Sequence, residues 1–271
     1  MYWSCTETEM IVEETVLNIK SDFLKRNVTC ALLQPDEVNT AKPLNLLLLN
    51  DGQEAENLRL ADTLQNLYNA GRIGPVAIAA IYCGEDRIQE YGTAGIPDYK
   101  KRGSKAALYE QFIIEELLPQ IKEHLQADSF ATMAFAGFSL GGLSALDIAW
   151  RHPELFNKAG VFSGSFWWRS RDLKKGYTND DRIMHGIIRN TETRPDLKFW
   201  LQTGTKDETA DRNQNGIIDA IDDTIDLIKE LEGKGYNRDA DIQYVEVVGG
   251  GHNTDTWSKV MPKFLTWAFK P

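Results

Sequence analysis

Cysteine is scarce in this chain. Cys5, Cys30 and Cys83 are the whole complement of 271 residues. An odd number at wide spacing makes neither a disulfide framework nor a zinc pattern. Cys5 and Cys30 could pair, although cytosolic disulfides are rare; Cys83 ends an apolar run and reads as a core thiol. Long apolar runs are missing too. No stretch approaches the ~20 residues of a membrane span. The opening MYWSCTETEM lacks the basic-then-apolar pattern of a secretory signal, so a cytoplasmic location is expected. Positive charge is in deficit: 30 Lys and Arg stand against 40 Asp and Glu, for a net charge of -10. Phosphates would be repelled, which argues against nucleic acid or an anionic membrane as the main partner. Apolar residues are plentiful at 42%, enough to bury a sizeable core without staples.

The apolar pattern changes period along the chain. Residues 8–19 and 27–33 alternate apolar with polar around Ser21-Asp22 and predict an antiparallel hairpin. After a loop over 35–43, continuous apolar runs at 44–49 and 75–83 predict strands buried on both faces, and further strands are expected at 131–136, 159–163, 197–202 and 242–248. Helical spacing predicts helices over 57–70, 104–126, 142–150, 220–231 and 256–268. Leu108, Phe112, Leu117 and Leu118 are the expected core face of the second, with a kink at Pro119. Residues 84–103 and 164–195 read as irregular. Strands alternating with helices predict one α/β domain over 1–271, with a mostly parallel sheet covered by helices on both faces. No repeat or linker divides it.

The pentapeptide Gly137-Phe138-Ser139-Leu140-Gly141 lies between a strand and a helix. That is the context a G-x-S-x-G nucleophile elbow requires. The turn lifts Ser139 clear of the sheet, near a helix N-terminus that favours a developing oxyanion.

A serine nucleophile needs a base and a group to orient it. The order in α/β-hydrolases is serine, acid, histidine. His124, His152 and His185 precede the last strand and read as structural or exposed; His252 follows it, in a glycine-rich loop. His252 is the expected base. Asp207 is the first carboxylate after the 197–202 strand and the expected acid, with Glu208 and Asp211 as rivals. The oxyanion hole is expected from the backbone N–H of Leu140 and of Gln53, with Gly52 next in line.

These residues sit in stretches that resemble the putative-esterase family of the α/β-hydrolases: LLLLNDGQ, EELLP, GFSLGGLSAL, HPELF, SGSFWW and GGGHNTDTW, spanning about residue 44 to the C-terminus. The family includes enterochelin esterases, feruloyl esterases, esterase-D-type thioesterases and mycolyltransferases. The resemblance implies an α/β-hydrolase fold, Ser139 as nucleophile, His252 as base and a backbone oxyanion hole at Gln53 and Leu140. SGSFWW is most similar to the enterochelin-esterase side. The acid varies within the family. The chain lacks the long N-terminal domain of some enterochelin esterases, so that substrate does not follow from the resemblance.

A second motif lies beyond the acid. Asp211, Asn213, Asn215, Ile217, Asp219 and Asp222, with Gly216 at the sixth position, fit a twelve-residue calcium loop. Asp222 stands where the EF-hand has glutamate, a departure shared with dockerin-type loops, which this one resembles. The alternative is an Asx-rich turn capping the following helix. A structural Ca²⁺ is therefore expected, stiffening the segment that carries Asp207, with no organic cofactor.

Phe138, Trp167, Trp168 and Tyr91 are candidates for an aromatic pocket, and Arg87, Arg169 and Arg171 for an anionic group. A serine ester hydrolase acting on a small-molecule ester is the expected function. An acyltransferase using the same residues, or a calcium-stabilised binding protein, remains open.

Overall fold

A computed structural model describes residues 11–36 and 43–271. Cys5, and with it the Cys5–Cys30 pairing, lies outside the described residues, as does the start of the hairpin. Eight strands form one sheet: β1 (Val12–Ser21), β2 (Arg26–Pro35), β3 (Asn45–Asn50), β4 (Val76–Ile81), β5 (Met133–Phe138), β6 (Lys158–Phe162), β7 (Lys198–Lys206) and β8 (Ile242–Gly251). Their order is β1-β2-β4-β3-β5-β6-β7-β8. The hairpin and the β2/β4 pair are antiparallel; every other pairing is parallel. The predicted mostly parallel sheet with an N-terminal hairpin is what forms.

Side chains alternate across a strand, so each apolar run feeds two cores. Leu46, Leu48, Phe135, Val161 and Leu201 face one side; Leu47, Leu49, Ala136, Phe138 and Trp200 face the other. The first core is closed by α3 (Ala106–Gln111), α4 (Leu118–Leu125), α5 (Leu140–Arg151), α6 (Ile183–Asn190) and α7 (Asp219–Gly233). The second is closed by α1 (Leu60–Asn69) and α8 (Thr254–Ala268). A short α2 (Arg87–Glu90) completes the set. Among the described residues no helix is long and apolar enough to cross a membrane.

Several expectations need correction. Residues 84–103 and 164–195 each contain a helix, α2 of four residues and α6 of eight, short enough to be lost among the irregular residues around them. Leu108 is exposed rather than core. The helix around Pro119 widens into a π-helical stretch, Phe112–Leu117, and Pro119 falls in the first turn of the α-helix that follows. The helical run is continuous from Ala106 to Leu125, so the donor that proline lacks and the change to π-helical hydrogen bonding fall next to each other in its interior. Cys83 is only partly buried, two residues beyond the end of β4.

Candidate active site

The carboxyl ends of β3, β5, β6, β7 and β8 meet at one edge of the sheet, the usual place for a site in an open α/β fold. Ser139 sits where β5 turns into α5, at φ 53° and ψ -120°. Such a conformation is costly for a side-chain-bearing residue and persists because its surroundings hold it. Its N–H donates to Phe162 O at 2.8 Å. The neighbouring glycines are required by close approach. A Cβ on Gly137 would lie 2.5 Å from Gly141 O, and one on Gly141 would lie 2.6 Å from the Asp51 carboxylate.

That second contact brings in the loop after β3. Asn50 Nδ2 donates to Gly141 O at 2.8 Å, and Tyr109 donates its hydroxyl to Asn50 Oδ1 at 2.5 Å. Asp51 is left-handed at φ 62°, accepts both Nε and Nη2 of Arg87, and takes the Tyr91 hydroxyl oxygen on its own N–H at 3.3 Å. The single turn that follows is closed by Glu54 N–H to Asp51 O and Ala55 N–H to Gly52 O. Neither bond uses the Gln53 N–H. The Leu140 N–H opens α5, where helical N–H groups have no intrahelical partner. The Gln53 side chain donates to Cys83 Sγ at 3.1 Å and accepts from Cys83 N–H at 3.2 Å.

Ser139 and His252 line one cleft of about 360 Å³, together with Asp51, Gln53, Arg87, Phe138 and Trp257. The His252 ring packs edge-on against Trp257, centroids 5.3 Å apart. Partial loss of water lowers the imidazole pKa from its ordinary value; the Asp207 charge raises it and Arg87 lowers it. Asp207 and His252 leave the sheet side by side, because Lys206 and Gly251 are register partners on β7 and β8. Asp207 Oδ2 accepts the Gly204 N–H at 3.0 Å, while its Oδ1 is buried without a protein partner.

The other expected residues fall elsewhere. Glu208 faces the start of α7: burial raises its pKa, the Ala220 N–H lowers it, and Asp219, Asp223 and Asp207 raise it further. Asp211 accepts the N–H groups of Asn215 and Gly216. Tyr91 and Trp168 are fully buried and present no ring to the cleft; aromatic bulk was legible, its direction was not. Trp167 lies under the Arg102 guanidinium at 4.9 Å and does not line this cleft. Arg169 stacks between Tyr99 and Tyr177, at 5.2 and 5.8 Å, and Arg171 pairs with Asp181 at 3.4 Å. His124 is exposed, His152 bridges Glu110 and Glu154, and His185 is buried against Asp223 O at 2.9 Å. Ser163, Ser165 and Trp257 touch the site's residues and were not anticipated.

In the 211–222 segment, Asp222 Oδ2 receives the side-chain amides of Asn213 and Asn215, both at 2.8 Å. Asp219 is turned aside: its Oδ1 accepts the Arg212 N–H at 2.9 Å and its Oδ2 meets the Arg212 guanidinium at 3.3 Å. Among the described residues no three His, Cys, Asp or Glu side chains converge as a metal cluster, so a cation here would depend on amide and backbone oxygens as well.

Comparison with known proteins follows the same lines. The family model described as "Putative esterase" matches residues 21–268. An iron(III) salmochelin esterase of Escherichia coli is 33% identical over 137 residues, covering 49% of this chain and 31% of that protein. The enterobactin esterase of Shigella flexneri, crystallised in the presence of enterobactin, superimposes with a TM-score of 0.74 at 22% identity, covering 98% of this chain and 61% of that one. A siderophore hydrolase of Aspergillus nidulans gives 0.67 at 16% identity, over 100% of this chain and 97% of that one. The chain thus spans under a third of the curated relative and about three fifths of the Shigella enzyme. The two superpositions describe a shared α/β fold, and the family match covers nearly the whole chain: it belongs to the "Putative esterase" family.

Proposed function

We propose that this chain is a serine carboxylic-ester hydrolase. The observation that carries the reading is the shared cleft: a strained serine at a strand-to-helix elbow and a histidine beyond the last strand line the same cavity. Ser139 Oγ attacks the ester carbonyl and its proton passes to a ring nitrogen of His252. The oxyanion is received by the N–H groups of Leu140 and Gln53. The protonated imidazole returns the proton to the departing alcohol, leaving an acyl-enzyme. Water then repeats the sequence with His252 as base and releases the acid. Asp207 fits the orienting role because it emerges beside His252 and its Oδ1 is free to accept a ring N–H. Glu208 and Asp211 are committed elsewhere.

The relatives' names suggest the substrate class. Salmochelin and enterobactin esterases and a siderophore hydrolase point to a siderophore-type ester. The test is hydrolysis of a short-chain nitrophenyl ester by wild type and Ser139→Ala, followed by a panel of catecholate, feruloyl and acetyl-sugar esters. Full activity in Ser139→Ala would overturn the reading.

The 211–222 loop is further proposed to hold a structural Ca²⁺. Asp211, Asn213, Asn215, the Ile217 carbonyl and Asp222 supply the hard oxygen ligands this ion takes, and Asp219 would serve through water, as the ninth position often does. The ion would neutralise carboxylates in the segment leading from Asp207 to α7.

A further inference from the structure

The hydroxyl of Ser139 has a close neighbour that the mechanism above does not use. Ser165 Oγ lies 3.3 Å from Ser139 Oγ, and the Ser165 N–H donates to Ser139 O at 3.1 Å. Ser165 is buried, with 3% of its surface exposed.

The turn that puts Ser165 there is expensive. Ser163 is left-handed at φ 50°, a conformation that a residue with a side chain rarely adopts. Gly164 tolerates no side chain, since a Cβ would lie 2.5 Å from Val161 Cγ1 and 2.9 Å from the Phe166 ring. The turn is pinned from two sides: Ser163 N–H donates to Gln202 O at 2.7 Å, and the Trp257 indole N–H donates to Ser163 Oγ at 2.9 Å. Trp257 is also the residue on which the His252 ring packs. One tryptophan therefore braces both the candidate base and the turn that carries Ser165.

Resting on the reading of Ser139 as nucleophile, we propose that Ser165 is a positioning residue whose hydroxyl donates to Ser139 Oγ. The chemistry fixes the direction. For Ser139 to pass its proton to His252, its O–H must point at the imidazole, so its lone pairs are what remain for Ser165. The Ser165 O–H then holds the nucleophile in one rotamer. In acylation, the Ser139 O–H bond breaks, the proton goes to His252 and the Oγ–C bond forms. In deacylation the Oγ–C bond breaks and Oγ recovers a proton from His252. Ser165 keeps its own proton throughout and stabilises the partial negative charge on Oγ at both stages, where a hydrogen bond to a charged group is stronger than to a neutral one.

The experiment compares Ser165→Ala, Ser165→Thr and Ser139→Ala with wild type. It reads kcat and KM on a nitrophenyl ester, the rate of covalent labelling by a fluorophosphonate, and Tm. Ser165→Ala is expected to lower kcat and the labelling rate roughly 10- to 100-fold, as one charge-assisted hydrogen bond would. KM and Tm should stay near wild type, and Ser165→Thr, which keeps the hydroxyl, should recover most of the loss. Should the alanine variant not fold, Ser165→Cys, with its weak S–H donor, is expected to show the same loss of kcat. Wild-type kcat in Ser165→Ala, or a threonine variant as slow as alanine at unchanged Tm, overturns the inference while leaving Ser139 in its role. Activity surviving in Ser139→Ala overturns both.

Discussion

Arg87 grips both carboxylate oxygens of Asp51, at 2.7 Å each. Asp51 is nearly buried and starts the turn that presents the Gln53 N–H, so the pair fixes one wall of the cleft. Replacing Arg87 by methionine strands a buried carboxylate against Gly141. Because Arg87 is a third exposed, the stability loss should be about 2 kcal/mol, below that of breaking a fully buried pair. Denaturant melts check this. kcat/KM should fall at least roughly 10-fold through displacement of the proposed oxyanion donor, the Gln53 N–H. Lysine at this position should rescue little, since a point charge cannot reproduce a bidentate grip.

The acid can be identified by contrast. If Asp207 has the proposed orienting role, Asp207→Asn keeps the shape but loses the acceptor that sets the imidazole tautomer, a change that costs about 10⁴-fold in kcat in serine hydrolases. Glu208→Gln should stay within a few-fold of wild type, because Glu208 faces α7. Steady-state kinetics of the two variants decide it. Equal losses in both would refute the assignment of Asp207.

The pH profile should show the same constellation. The base must be neutral to accept a proton, so kcat/KM should rise with pH through the His252 pKa. Burial sets that midpoint below the ordinary histidine value, against the upward influence of Asp207 and with the further lowering by Arg87. Removing the Asp207 charge in Asp207→Asn should move the midpoint to still lower pH. Arg87→Met should move it to higher pH. Shifts of the same sign in both variants would contradict this electrostatic picture.

Stability should carry a separate histidine signature. His185 is buried as the neutral ring, its pKa pushed down to about 3 by desolvation and by Arg182. The unfolded chain takes up this proton near pH 6.5 and the folded chain does not until about pH 3. His185 therefore favours unfolding progressively as pH falls between those values, and its stability contribution is intact above them. In His185→Gln, which retains a donor for Asp223 O, Tm should fall less steeply with acid over that window. An unchanged slope would count against it.

How much of this was legible depends on the range of the interaction. Alternating and continuous apolar runs report burial strand by strand, so the sheet and its two helical faces could be read. Ser139, Asp207 and His252 could be proposed from sequence because they follow β5, β7 and β8 in the chain order that hydrolase chemistry uses. Tyr91 and Trp168 were misplaced because an aromatic ring has the same composition whether it walls a cleft or fills a core. Ser165 was missed for another reason. SGSFWW was visible, but only the left-handed turn at Ser163 folds the second serine back onto the nucleophile. The Trp257 indole that holds the turn lies 94 residues away.

The calcium proposal makes the last prediction. Asp222 Oδ2 is shared by the amides of Asn213 and Asn215, so this carboxylate is the hub of the loop. A cation that binds only the folded chain adds about 2.7 kcal/mol at a hundredfold excess over Kd. For a chain of this size that is a rise in Tm of roughly 5 °C. Calcium should produce it, and a chelator should reverse it. Mg²⁺ at the same concentration should produce less, since it demands a tighter octahedral shell and sheds water reluctantly. Asp222→Ala should abolish the response. Because the loop follows Asp207 directly in the chain, turnover should fall with chelation in wild type and be insensitive to calcium in Asp222→Ala. If chelation of metal-loaded protein moves neither Tm nor turnover, the segment is an Asx-rich cap for α7 and nothing more.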